Sequence, residues 1–140
     1  MFTKRDPRID AIADLDLFAG LDRKQLATIA SLSTPVTLPA GSVLCRRGER
    51  GREAFILIEG SVAVSIEDEA IAVLRPGSVF GEMSLLDGSP RVANVTATSQ
   101  VTVLVLTNLE LSSVLDAVPA VAARVYSTLG ARKQDLALSA

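Results

Sequence analysis

Between Phe80 and Asn94 the chain reads Phe-Gly-Glu-Met-Ser-Leu-Leu-Asp-Gly-Ser-Pro-Arg-Val-Ala-Asn, a stretch that breaks the apolar alternation on either side of it. Gly81 permits an unusual backbone angle or the close approach of a ligand to the main chain. Ser84 suits the start of a helical turn through Leu86, and the first amides of a short helix suit an anion. Asp87-Gly88-Ser89-Pro90 is a turn that ends it, and Arg91 follows at the entry to a strand. Glu82 and Arg91 thus place a carboxylate and a guanidinium on the two flanks of an amide-lined cradle. The forked guanidinium with backbone N–H donors suits a singly charged phosphodiester with two exposed oxygens. The carboxylate can accept a hydrogen bond from a neighbouring hydroxyl.

The elements that must hold this cradle are legible from periodicity. Asp10–Phe18 is an amphipathic helical piece closed by Gly20. Asp22 and Gln25 form a capping box for a helix over Arg23–Leu32, with Leu26, Ile29, Ala30 and Leu32 on one face. From Thr34 the period changes to short β-rich runs at Val36–Leu38, Ser42–Arg46, Ala54–Ile58, Ser61–Ile66, Ala70–Leu74, Val79–Phe80, Val92–Ala97 and Val101–Leu106. Thr107 and Glu110 form a second capping box, leading into Leu111–Ala117. Pro119 disfavours helix at Val118 and suits the first turn of another, whose stripe is Val121, Ala122, Val125 and Leu129, with Gly130 inside it. The predicted fold is mainly β with flanking helices: an eight-stranded antiparallel jelly roll whose core includes Phe55, Leu57, Val62, Val64, Val103 and Val105. One domain over 1–140 is expected, with N-terminal helices at 1–33, the jelly roll at 34–106 and C-terminal helices at 107–140.

Composition narrows the chemistry. The chain has 140 residues, an apolar fraction of 49% and a net charge of −2, which invites neither nucleic acid nor an anionic membrane. No apolar run approaches the roughly 18–20 residues a membrane span needs. There is no histidine, so a histidine-ligated metal site and a Ser–His or Cys–His nucleophile are excluded; no catalytic or metal-ligating residue and no cofactor is expected. A cupin-like metal enzyme or a phosphodiesterase is the weakest reading for the same reason. The lone Cys45 agrees with a reducing compartment, and the cytoplasm is the expected location. Arg46, Arg47, Arg50 and Arg52, interleaved with Glu49 and Glu53, read as a solvated hairpin end, the other reading being a mark for an acidic partner.

The cradle matches a cyclic nucleotide, whose phosphodiester carries one charge and whose ribose keeps a free 2′-hydroxyl. Here the residues resemble a family. Phe80-Gly-Glu-Met-Ser-Leu85 and Pro90-Arg-Val-Ala93 resemble the phosphate-binding cassette of cyclic-nucleotide-binding domains, as found in catabolite activators, protein kinase A regulatory subunits and cyclic-nucleotide-gated channels. Leu17-Phe-Ala-Gly-Leu21, Pro39-Ala-Gly-Ser-Val-Leu44, Arg47-Gly-Glu49 and Phe55-Ile-Leu-Ile-Glu-Gly-Ser-Val62 extend the likeness over nearly the whole chain.

The resemblance implies that Glu82 takes the ribose 2′-hydroxyl and Arg91 the cyclic phosphate. The amides of Gly81, Ser84 and Val92 would be aimed at the ligand, and Met83 lies within the same cassette. Val92 departs from the family's usual Ala, Ser or Thr and lacks the hydroxyl that cGMP-preferring members often use, so cAMP is the expected ligand and cGMP the less favoured one. In this family the last helix acts as a lid, which points to Arg132, Lys133 and Leu136; a frayed terminal helix is the alternative for those three. No DNA binding by this chain is expected, because only about 20–30 residues follow the last strand, too few for both a lid and a DNA-reading domain. The output would then act in trans, on an effector protein or in a homodimer. The competing reading is a fold that has lost the nucleotide and serves as an interaction or dimerisation module, with Val92 as the feature in its favour.

Overall fold

The structure is a computed structural model, and it describes residues 7–127. Three helical pieces come first: α1 (Pro7–Ala13), a 3-10 turn at Asp16–Phe18, and α2 (Arg23–Leu32). The single helix expected over Asp10–Phe18 is therefore two pieces. Leu15 between them is extended, at φ −77° and ψ 137°, and the break lets the Phe18 ring turn into the core. Pro7 opens α1, where its missing N–H costs nothing. The capping box of α2 is present: Asp22 Oδ1 accepts from the Gln25 amide at 2.8 Å, and the Asp22 amide donates to Gln25 Oε1 at 3.0 Å.

Eight strands follow: β1 (Thr34–Leu38), β2 (Val43–Cys45), β3 (Glu53–Glu59), β4 (Val62–Ile66), β5 (Glu69–Leu74), β6 (Val79–Phe80), β7 (Asn94–Ala97) and β8 (Val101–Thr107). They form two four-stranded antiparallel sheets, β1-β8-β3-β6 and β2-β7-β4-β5, the jelly roll expected from the pattern of short strands and turns. Between β6 and β7 lies α3 (Glu82–Asp87). After β8 comes α4 (Asn108–Ala117), capped by Thr107 and Glu110 as expected. The helix breaks at Val118 (φ −130°, ψ 82°), and residues 119–127 are again helical.

Strands β3 and β8 carry apolar side chains on both faces, so they read as near-continuous apolar runs rather than alternating ones. Ala54, Ile56, Leu104 and Leu106 face a core shared with α1, α2, α4 and the segment 119–127. Phe55, Leu57, Val101 and Val103 face the space between the sheets, joined by Val62, Phe80 and Val95. Of the expected core residues, Val64 and Val105 pack against this second cluster but are only partly buried. The C-terminal helical segment is tied to the N-terminal one through Arg124, which donates to the Leu17 carbonyl at 2.7 Å and the Ala19 carbonyl at 2.9 Å.

Candidate functional site

The chain leaves β6 through Gly81, whose φ of +82° is the left-handed conformation a side chain disfavours. This bend starts α3 two residues earlier than the turn expected at Ser84. Gly88, at φ +71°, ends the helix by donating its N–H to the Ser84 carbonyl at 3.0 Å. The Asp87 carboxylate then accepts from the amide and hydroxyl of Ser89, fixing the turn.

Arg91 is positioned from both its main chain and its side chain. Its amide donates to the Glu49 carbonyl at 2.8 Å, and its carbonyl accepts from the Gly48 amide at 2.8 Å. This pairing with the β2–β3 loop, and the bond from the Arg47 amide to Asn94 Oδ1 at 2.9 Å, delay the start of β7 to Asn94 rather than Val92. The guanidinium turns inward, with Nη1 donating to the Gly81 carbonyl at 2.6 Å and Nη2 to the Glu53 carbonyl at 2.7 Å. Two of its five N–H donors are engaged in this way. Two glycines make room for it. A Cβ on Gly51 would lie 2.6 Å from Arg91 Cζ, and one on Gly81 would lie 2.8 Å from Nη1.

Arg91 is 9% exposed and Glu82 only 1%, and both face a cavity of about 320 Å³. Gly81, Met83, Ser84 and Val92 line it as well, so all six residues singled out in the sequence come together. Val92 lies at the rim, 42% exposed. The facing wall is apolar, built by Val64 of β4 and Ile71, Ala72 and Leu74 of β5. One side of the cavity thus offers buried charge and the other a surface for a flat apolar group. Arg132, Lys133 and Leu136 lie outside the described residues.

Three parts of the site were not singled out from the sequence. Gly51 serves by its lack of a side chain, and Glu53 by its backbone carbonyl. Cys45 sits at the cavity floor, where burial pushes its thiol from the ordinary 9.0 up to about 11; Arg91 pulls it down, while Glu82 and Glu53 add to the rise. The thiol is therefore neutral near pH 7. The apolar wall on β5 carried no signal in the sequence, because its place beside the cassette follows from the strand order. Among the described residues no cluster of acidic or sulfur side chains suits a metal, and no helix is long and apolar enough to cross a membrane.

Residues 35–117 match the family model of the cyclic nucleotide-binding domain. The chain is similar to a cyclic nucleotide-gated potassium channel of Rhizobium etli, with 35% identity over 117 residues, covering 84% of this chain and 33% of the channel. It spans about a third of the length of the curated relatives it matches first. Among solved structures, cAMP-bound PfPKA-R superposes with a TM-score of 0.82 at 23% identity, over 91% of this chain and 44% of that one. The Thermus thermophilus catabolite activator protein does so with a TM-score of 0.77 at 26% identity, over 88% and 60%. The match over most of the jelly roll, with the cassette residues gathered around one cavity, places the chain in the cyclic nucleotide-binding domain family.

Proposed function

We propose that this domain is a sensor that binds cAMP reversibly in the cavity beneath α3, with no turnover. Arg91 holds the cyclic phosphate, Glu82 accepts from the ribose 2′-hydroxyl, and the purine lies against Val64, Ile71, Ala72 and Leu74. One observation carries the reading: of the four buried polar side chains among the described residues, Glu82, Ser84 and Arg91 all line this cavity. A carboxylate and a forked guanidinium held beside one cavity suit a ligand with one hydroxyl and one anionic group.

The absence of a hydroxyl at Val92 supports cAMP over cGMP, as does cAMP in the PfPKA-R neighbour. The exposure of Val92 leaves the cavity open, which weighs against the competing module that has lost its nucleotide. The response is relayed by α3, because its Leu85 and Leu86 pack against the helix-side core while Glu82 and Ser84 face the cavity. The break at Val118 is the pivot for the helical segment that follows it. Such a switch requires cAMP to bind the closed state more tightly than the open one. The output acts in the cytoplasm on an effector protein or within a homodimer, without DNA contact by this domain.

Isothermal titration calorimetry with cAMP and cGMP, with Arg91→Ala in parallel, tests the assignment. Saturable cAMP binding that the variant loses, at a cost of about 2–5 kcal/mol, supports it. Equal cAMP affinity in the variant, or no heat and no shift in melting temperature with either nucleotide, overturns it. Arg91→Lys should also weaken binding, since an ammonium cannot reproduce the fork.

A further inference from the structure

A second cavity, of about 410 Å³, lies next to the first and shares with it only Arg91 and Cys45. Its polar lining comes from Arg46, Glu49, Arg50 and Arg52 of the loop between β2 and β3, Glu53 at the start of β3, and Arg91 between α3 and β7. Four guanidiniums thus stand against two carboxylates. Arg46, Arg50 and Arg52 form no ion pair with any described residue, although Arg47 in the same loop pairs with Glu67 at 3.1 Å. Neutral Cys45 adds no negative charge to the floor.

The loop that carries these arginines is preorganised. Its backbone is bonded to Arg91 on both sides, Arg50 forms a β-bridge with Pro90, and the Glu49 amide donates to the Arg46 carbonyl at 3.2 Å. A fixed loop that holds unpaired guanidiniums around a concave surface suits a compact, multiply charged oxyanion, because each fork can meet two oxygens. Phosphate has that geometry.

We propose that this cavity is a second ligand site, specific for a small phosphate-bearing anion, and that its occupancy weakens cyclic nucleotide binding. The antagonism follows from the shared side chain. An anion beside Arg91 draws on the charge that the cyclic phosphate needs, and by linkage each ligand lowers the affinity of the other equally. The antagonism rests on the cAMP reading; the anion site itself does not.

The probe is inorganic pyrophosphate, titrated into the intact protein in metal-free buffer, alone and with cAMP. The comparison is the triple variant Arg46→Gln/Arg50→Gln/Arg52→Gln, with melting temperature as the control for folding. The proposal expects pyrophosphate binding to the native protein and at least about tenfold weaker binding to the variant, given the strength of charge-assisted hydrogen bonds. It also expects cAMP affinity to fall far less in the variant than pyrophosphate affinity does, and the apparent cAMP Kd of the native protein to rise with pyrophosphate and then level off. A phosphoserine peptide run in place of pyrophosphate distinguishes a free anion from a phosphorylated partner. Loss of cAMP affinity without limit, in native protein and variant alike, would mean that the anion enters the first cavity, and would overturn the second site. Absence of pyrophosphate binding would overturn it as well, and binding with no effect on cAMP would overturn the antagonism.

Discussion

Gly51 and Arg91 share one small volume: a Cβ at Gly51 would lie 2.6 Å from Arg91 Cζ and 2.6 Å from Ser84 Cβ. The guanidinium can reach the Gly81 and Glu53 carbonyls only because that space is empty. Gly51→Ala should therefore displace Arg91 or α3, costing about 1–3 kcal/mol in stability by overpacking. It should also raise the cAMP Kd by about tenfold or more. Urea unfolding and calorimetry on the same sample measure both, and unchanged values in the two would contradict the geometry.

Glu82→Gln keeps the shape of the side chain and removes its charge. A hydrogen bond to a charged group contributes about 1.5–3 kcal/mol, so cAMP affinity should fall by roughly 10–100-fold. The informative control is 2′-deoxy-cAMP. The native domain should bind it more weakly than cAMP, and the gap between the two ligands should narrow in the variant. A gap of the same size in both proteins would mean that Glu82 does not meet the 2′-hydroxyl.

Val92→Thr introduces a hydroxyl at the cavity rim without filling the cavity. One added neutral hydrogen bond is worth about 0.5–1.5 kcal/mol, so the ratio of cAMP to cGMP affinity should fall by about 2- to 10-fold. Competition binding with the two nucleotides reads this directly.

Cys45 reports on the site through pH. The unfolded thiol loses its proton near 9.0 and the folded one near 11. Between those values the folded state binds more protons, so stability falls as pH rises through that window, by an amount on the order of 2–3 kcal/mol. Below the unfolded value the effect is absent. Cys45→Ala should remove this slope from a series of unfolding curves between pH 8 and 11. At neutral pH the thiol should react slowly with alkylating reagents, and more slowly still with cAMP bound over it.

Much of this was legible in the chain itself. The two capping boxes, the left-handed Gly81 and the strand runs depend on local chemistry: a side-chain oxygen three residues from an amide, a missing Cβ, an apolar period. That Glu82 and Arg91 would flank one cavity was legible because the cassette is contiguous. What the sequence hid depends on contacts across distance. The β2–β3 loop pairs with Arg91 through backbone atoms only, so β7 begins later than its apolar residues suggest. Gly51, in a loop that reads as an ordinary turn, is required because a guanidinium 40 positions further on needs the space. The split at Leu15 likewise answers to the burial of Phe18, not to helix propensity.

The two walls of the cavity beneath α3 differ in how firmly they are held. Arg91 is bonded at its amide, its carbonyl and its guanidinium, and lies near β3, which is covered on both faces. The opposite wall belongs to β5, an edge strand with only β4 beside it and most of its residues exposed. Local opening is easiest where few contacts oppose it, so amide hydrogens of β5 should exchange far faster than those of β3 and β8. If exchange follows that order, the bonded Arg91 side decides which ligand fits, and opening at the β5 edge decides how quickly that ligand enters and leaves.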